Sequence, residues 1–165
     1  NMIPNCHSYD PTYSYELAVI IQDGMRRMYH EKENVFYYIT TMNENYLHPD
    51  MPEGAEEGII KGLYKLRASS VKKPKLKVQL MGSGTILREA EAAAELLKAD
   101  FKVEADIWSA TSINQLCREG NDCERWNMLH PEAEPKVPYV SELLNAQDAP
   151  VICATDYIKL SLIHI

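Results

Sequence analysis

The sequence predicts an α/β fold, and three stretches carry that prediction. Residues 78–81 (VQLM), 82–85 (GSGT), 86–99 and 103–108 read in order as a short buried strand, a tight turn, an amphipathic helix and a second strand. That spacing requires a parallel crossover connection. Residues 35–39 (VFYYI) are apolar on both alternating faces, the pattern of a central strand covered by helices on either side. Residues 150–155 (PVICAT) are a further short apolar run of the parallel-strand type.

Taken in order, residues 1–9 form an extended lead-in. Cys6 and His7 are neighbours there, and adjacent residues on an extended chain point to opposite faces, which argues against a nucleophile with its base. Asp10 and Pro11 read as a helix start, an acceptor side chain followed by a residue without an N–H. Leu17, Ile20, Ile21, Gly24, Met25 and Met28 then mark the inner face of an amphipathic helix running to about residue 29. A polar turn leads into the 35–39 strand. At its carboxyl end Thr40, Thr41, Asn43, Glu44 and Asn45 cluster where α/β proteins carry their sites, and on chemistry alone this is a site or a solvated loop. His48 has no second ligand at metal-site spacing.

From Gly54 the sequence predicts a second helix, with Ala55, Ile59, Ile60, Leu63 and Leu66 inward and Glu53, Glu56 and Glu57 near its positive end. Residues 68–77 are a Ser-, Lys- and Pro-rich break. Lys72, Lys73, Lys75 and Lys77 lack the interleaved aromatics of a base-stacking surface and read as an exposed loop. In the crossover helix Ile86, Ala90, Ala93 and Leu97 face inward. Residues 109–118 read as a turn and short helix, 121–130 as another helix stopped by Pro131, with His130 as its cap, and 139–145 as a short helix before the 150–155 strand. Residues 156–159 would begin the next helix.

The Gly82-Ser83-Gly84 turn raises a specific alternative. A G-x-G-x-x-G turn lets a pyrophosphate approach a helix amino terminus, with an acid about 20 residues on holding the ribose, and Asp106 lies at that distance. Leu87 stands at the third glycine position, where its side chain would fill the space needed for close helix–strand approach. A dinucleotide-binding oxidoreductase domain over 82–106 is therefore one candidate. A non-catalytic module for dimerisation or partner docking is another.

Composition narrows the classes. At 165 residues the chain can bury a real core, as one domain or two small ones. Its 17 basic and 24 acidic residues give a net charge of −7, which argues against nucleic acid as a partner, because phosphate binding needs a basic face. Cys6, Cys117, Cys123 and Cys153 show neither C-x-x-C pairing nor metal-site spacing, and read as reduced thiols of a cytoplasmic protein. No run approaches the roughly 18 apolar residues of a membrane span. Both ends read as cut, and residues 161–165 read as a non-native tail.

The segments IPNCHSYDP, YYITTMNENY, MPEGAEEG, QLMGSGTILRE, CERWNMLHP, VPYV and TDYIKL, spread over residues 3–160, closely resemble the homodimeric type of pyruvate dehydrogenase decarboxylating component, a thiamine-diphosphate enzyme. Leu47-His48 departs from the His-Met pair of that pattern. The resemblance implies that residues 1–50 are the end of a pyrimidine-binding thiamine-enzyme domain and 51–160 an incomplete transketolase C-terminal-like domain. It implies oxidative decarboxylation of pyruvate with reductive acetyl transfer to lipoyl groups in the intact enzyme, a homodimer partnered by a lipoyl acetyltransferase component. Thiamine diphosphate and magnesium would be bound by family motifs that precede Asn1. No catalytic, cofactor-binding or metal residue is therefore carried onto this chain, and the isolated chain is expected to be inactive. The one local role the resemblance implies is at the 40–50 loop, where Thr41, Asn43 and Asn45 would lie near the mouth of the substrate channel.

Overall fold

The computed structural model describes residues 3–71 and 74–156. Two sheets organise the chain. Strands β1 (Cys6–Tyr9) and β2 (Phe36–Ile39) pair in parallel, Cys6 opposite Phe36 and Tyr9 opposite Ile39. A four-stranded sheet follows in the order β3-β5-β4-β6, made of β3 (Tyr64–Arg67), β4 (Lys77–Gly82), β5 (Glu104–Ser109) and β6 (Val151–Ala154). Here β4 runs parallel to both β5 and β6, as the sequence predicts, while β3 joins the edge antiparallel with a register irregularity between Lys65 and Arg67.

Helices cover both faces of the larger sheet. Helix α3 (Ile86–Phe101) packs Leu87, Ala90 and Ala94 against Val78, Leu80 and Ile107. On the opposite face α4 (Ile113–Leu129) and α5 (Tyr139–Asn145) bring Ile113, Leu116 and Val140 against Leu63, Met81 and Trp108. Each fully buried Leu or Ile in these layers contributes roughly 1.5–3 kcal/mol of apolar transfer. Gln79 is a buried polar residue in this core. Its amide donates to the carbonyls of Leu144 and Ala149 and accepts from the Trp108 indole N–H, so its burial is compensated and the α5–β6 connection is fixed.

The smaller sheet is covered differently. Helix α1 (Ser14–Met25), continued by a π-helical turn over Arg26–His30, lies on one face. Gly24 lets the Tyr37 ring come so close that a Cβ added at this glycine would lie 3.4 Å from it. Phe36 and Tyr38 on the other face are 42% and 61% exposed. The expectation of a central strand buried on both faces is thus corrected: among the described residues β2 pairs only with β1, and its side chains alternate between exposed and half-buried.

Other boundaries shift for physical reasons. Helix α1 begins at Ser14 rather than at Asp10-Pro11, because the Glu16 carboxylate accepts the N–H groups of Thr12 and Tyr13. Of its expected inner face Ile20 and Gly24 are buried, whereas Ile21 and Met25 are 45% and 57% exposed. The helix after Gly54, α2 (Glu56–Lys61), is short. Gly62 turns left-handed at φ +103 and releases the chain into β3, a strand that the helical spacing of Leu63 and Leu66 concealed. The two short helices expected over 109–130 are one continuous α4, since Gly120 is tolerated within it. Lys72, Lys73 and everything from Tyr157 onward, including the expected helix start and the 161–165 tail, lie outside the described residues.

Candidate functional site

The polar loop after β2 is the region that the sequence singles out, and the structure shows how it is held. Thr40 donates its N–H to the Tyr9 carbonyl at 3.0 Å and its hydroxyl to the Asp10 carboxylate. Further on, the Arg88 guanidinium from the first turn of α3 pairs with Glu44 at 3.0 Å and lies 4.5 Å from the centre of the Tyr46 ring. The Tyr46 hydroxyl donates to the Thr12 carbonyl, and His48 stacks on Tyr46 with ring centres 4.6 Å apart. His48 Nδ1 accepts the N–H of Ser14 at 3.0 Å, so this imidazole serves the start of α1. Thr41, Asn43 and Asn45 are all exposed on this loop. Two shallow crevices lie elsewhere: about 150 Å³ lined by Arg67, Ser70, Lys98 and Glu104, and about 300 Å³ lined by Met81, Val140, Leu144 and Cys153. Neither is formed by the loop.

The Gly82-Ser83-Gly84 turn has the backbone of a phosphate cradle but not its vacancy. Gly82 packs on the amino end of α3, where a Cβ would come within 2.7 Å of Leu87 Cα. Gly84 adopts φ +51, and a Cβ there would meet the Asp10 carboxylate oxygens at 2.6 and 2.7 Å. A carboxylate therefore lies against this turn, and its like charge disfavours an anion there. Asp106, the expected ribose partner, is buried and committed to Lys65, Lys77 and the Ser69 N–H. Burial alone would push its pKa up, but the Ser69 N–H and the two ammonium groups hold it below the ordinary carboxylate value. The dinucleotide reading is thus corrected by charge and by space. The same test applies to the thiamine diphosphate and magnesium of the resemblance. The turn does not fit a diphosphate, and among the described residues no three His, Cys, Asp or Glu side chains gather closely enough to hold a metal ion.

One buried group was invisible in the sequence. Glu16, which reads as an unremarked acid on α1, is fully buried where the two sheets meet. One carboxylate oxygen accepts the N–H groups of Thr12 and Tyr13 at 2.6 and 2.9 Å, and the other accepts the hydroxyls of Tyr64 and Ser109, both at 2.6 Å. Burial raises its pKa, and the four donors act against that rise. Tyr15 bonds Tyr64 at 2.7 Å and completes the network. With these four donors Glu16 fastens the start of α1 to strands β3 and β5. The four cysteines are free thiols. His7, bonded to Gln115 beside Arg27, is held below its ordinary pKa by burial and by the guanidinium.

Comparison with known proteins finds two family models matching in order along the chain. The pyruvate dehydrogenase E1 component middle domain matches residues 1–49, and the transketolase-like TK C-terminal domain matches residues 62–165. The chain is 60% identical over 159 residues to the pyruvate dehydrogenase E1 component of Escherichia coli strain K12, covering 96% of this chain and 18% of that protein. It is 59% identical over 158 residues to its counterpart from Pseudomonas aeruginosa and 54% over 157 residues to that from Cupriavidus necator, again 18% of each. The chain therefore spans less than a fifth of the length of these relatives.

Proposed function

We propose, from the premise that the chain belongs to the transketolase-like C-terminal domain family and carries E1 middle-domain sequence ahead of it, that it is a segment of a pyruvate dehydrogenase E1 component. The intact protein would oxidatively decarboxylate pyruvate and pass the acetyl unit to lipoyl groups, using thiamine diphosphate and magnesium. It would work in the cytoplasm as a homodimer, within a complex containing a lipoyl acetyltransferase. The observation that carries this reading is the match to an E1 middle-domain model followed by a transketolase-like C-terminal domain model along one chain, with 60% identity to an E1 component.

The domain boundary falls at 50/51 in this reading. The exposed Phe36–Tyr38 face and the Ile21–Met25 stripe are the surfaces that the rest of the middle domain would cover. Residues 40–50 border the substrate channel, with Thr41, Asn43 and Asn45 at its mouth. This chain's own residues supply architecture rather than chemistry. When bound elsewhere in the intact protein, the cofactor supplies the carbanion sink.

Two measurements test the reading. The isolated chain, supplied with pyruvate, thiamine diphosphate and magnesium, is expected to release no carbon dioxide above background, and measurable turnover would contradict the assignment of the catalytic groups to other segments. Exchanging this chain for the matching segment of the Escherichia coli E1 component is expected to preserve pyruvate-dependent acetyl transfer. A folded but inactive exchange protein would overturn the proposal.

A further inference from the structure

The loop of residues 40–52 is held by Asp10 at Thr40, by Arg88 at Glu44 and Tyr46, by the Thr12 carbonyl at the Tyr46 hydroxyl and by the Ser14 N–H at His48, and the exposed polar residues lie beside and between the first two of these holds. The first hold is at Thr40, whose hydroxyl donates to Asp10. Asp10 is itself built into the larger unit: its N–H donates to the Thr111 carbonyl at 2.7 Å, its carbonyl accepts the Gly84 N–H at 3.2 Å, and its carboxylate lies against Gly84. The second hold is Arg88, which reaches a partner 44 positions away in sequence, pairing with Glu44 and covering the Tyr46 ring. Thr41 and Asn43 lie between these holds, and Asn45 lies between Glu44 and Tyr46.

Core packing accounts for Tyr46, which lies against the Tyr13 and Leu87 core, but not for the Arg88–Glu44 pair. The Arg88 and Glu44 side chains are 40% and 65% exposed, and an ion pair so open to solvent adds little to global stability. Its effect is local: an arginine that pairs with one residue and stacks on the next but one restricts both the direction and the twist of the strip between them. A lysine could retain the charge pairing but not the planar cover over Tyr46.

We infer that Arg88 is a positioning residue. From α3 it fixes the conformation of residues 43–46 while Asp10 fixes Thr40, so that Thr41, Asn43 and Asn45 face outward together. This rests on the reading of the loop as the border of the substrate channel; under that reading, Arg88 governs how pyruvate is admitted and oriented without touching it.

Hydrogen exchange on the full chain tests the hold, and kinetics test its use. Arg88→Gln is expected to speed amide exchange over residues 40–48 about five- to tenfold, leaving β4 and β5 unchanged, with Arg88→Lys intermediate. Unchanged exchange over 40–48 in Arg88→Gln would overturn the proposal. In the Escherichia coli E1 component carrying this chain in place of its matching segment, Arg88→Gln is expected to raise KM for pyruvate about fivefold with kcat changed less than about twofold, and Arg88→Lys to recover part of that loss. Asn43→Ala is expected to raise KM in the same way. If exchange quickens but KM stays fixed in all three variants, Arg88 orders the loop and the channel reading is overturned. A fall in kcat with no change in KM would overturn the positioning role.

Discussion

Strands β2 and β4 begin as similar material and end in different environments. FYYI in β2 is at least as apolar as VQLM in β4, yet β4 is buried along almost its whole length while β2 alternates between exposed and half-buried. The difference lies in what the chain supplies around each strand. Among the described residues strand β4 has neighbours on both edges and helices on both faces, whereas β2 has one strand beside it and one helix over it. Burial is a property of the surrounding layers as much as of the run itself. Among the described residues the apolar run of β4 is fully covered and that of β2 is covered on one face only.

Mutation should separate the two regions sharply. Ile107→Ala, beside β4 at the centre of the larger core, is expected to cost about 2–5 kcal/mol, while Tyr38→Ser on the open face of β2 should stay within about 0.5 kcal/mol. Urea unfolding monitored by circular dichroism measures both, and a large loss at Tyr38 would show that its face is covered after all.

The junction between the regions comes next. Glu16→Ala leaves the N–H groups of Thr12 and Tyr13 and the hydroxyls of Tyr64 and Ser109 without their shared acceptor, an expected loss of about 2–3 kcal/mol. The pH dependence has a defined sign. Because burial raises the folded-state pKa of Glu16, the folded chain holds that proton more tightly than the unfolded one. Its contribution is fully present below the ordinary carboxylate pKa and is lost as pH rises through the raised value. Stability curves of wild type minus Glu16→Gln should fall across that window. Asp106 runs the opposite way, since its folded pKa is lowered: its contribution is present above the ordinary value and disappears as pH falls through the lowered one.

A pair of glycines gives a smaller contrast. Gly84→Ala must adopt φ +51 against the Asp10 carboxylate and should cost about 2 kcal/mol or more, whereas Gly54→Ala, at φ +73 with nothing within 4 Å, should cost about 1 kcal/mol from backbone strain alone. Equal losses in thermal unfolding would remove the special role of the Asp10 contact.

What the sequence made legible follows the same division. The β4-α3-β5 unit, α5 and β6 could be read because their signals are local: short apolar runs, a Gly-rich turn and one helical period per element. Strand β3 could not, because Leu63 and Leu66 continue the spacing of α2 and only the left-handed Gly62 ends the helix. Nor could α4, whose Gly120 mimics a break. At the candidate site, the position of Thr41, Asn43 and Asn45 on one loop was evident from their place after a strand. Their supports were not, since Arg88 and Asp10 meet that loop from 44 and 30 positions away, and no local period encodes such a pairing. Glu16 was hidden for a similar reason: among the acids of an amphipathic helix, nothing local distinguishes the one that another unit will cover.

The docking of β1 bears on how the chain is made. Ser8 offers its carbonyl to the Ser112 hydroxyl, 104 positions later, and Asp10 bonds the backbone of Thr111. On a ribosome, the first strand leaves the exit tunnel long before these partners have been synthesised. Its ladder partner β2 follows within about thirty residues, but the Ser8 and Asp10 contacts wait until the start of α4 appears. The Ser8 and Asp10 contacts are thus completed later than the strand pairing beside them, and that delay is set by the speed of translation.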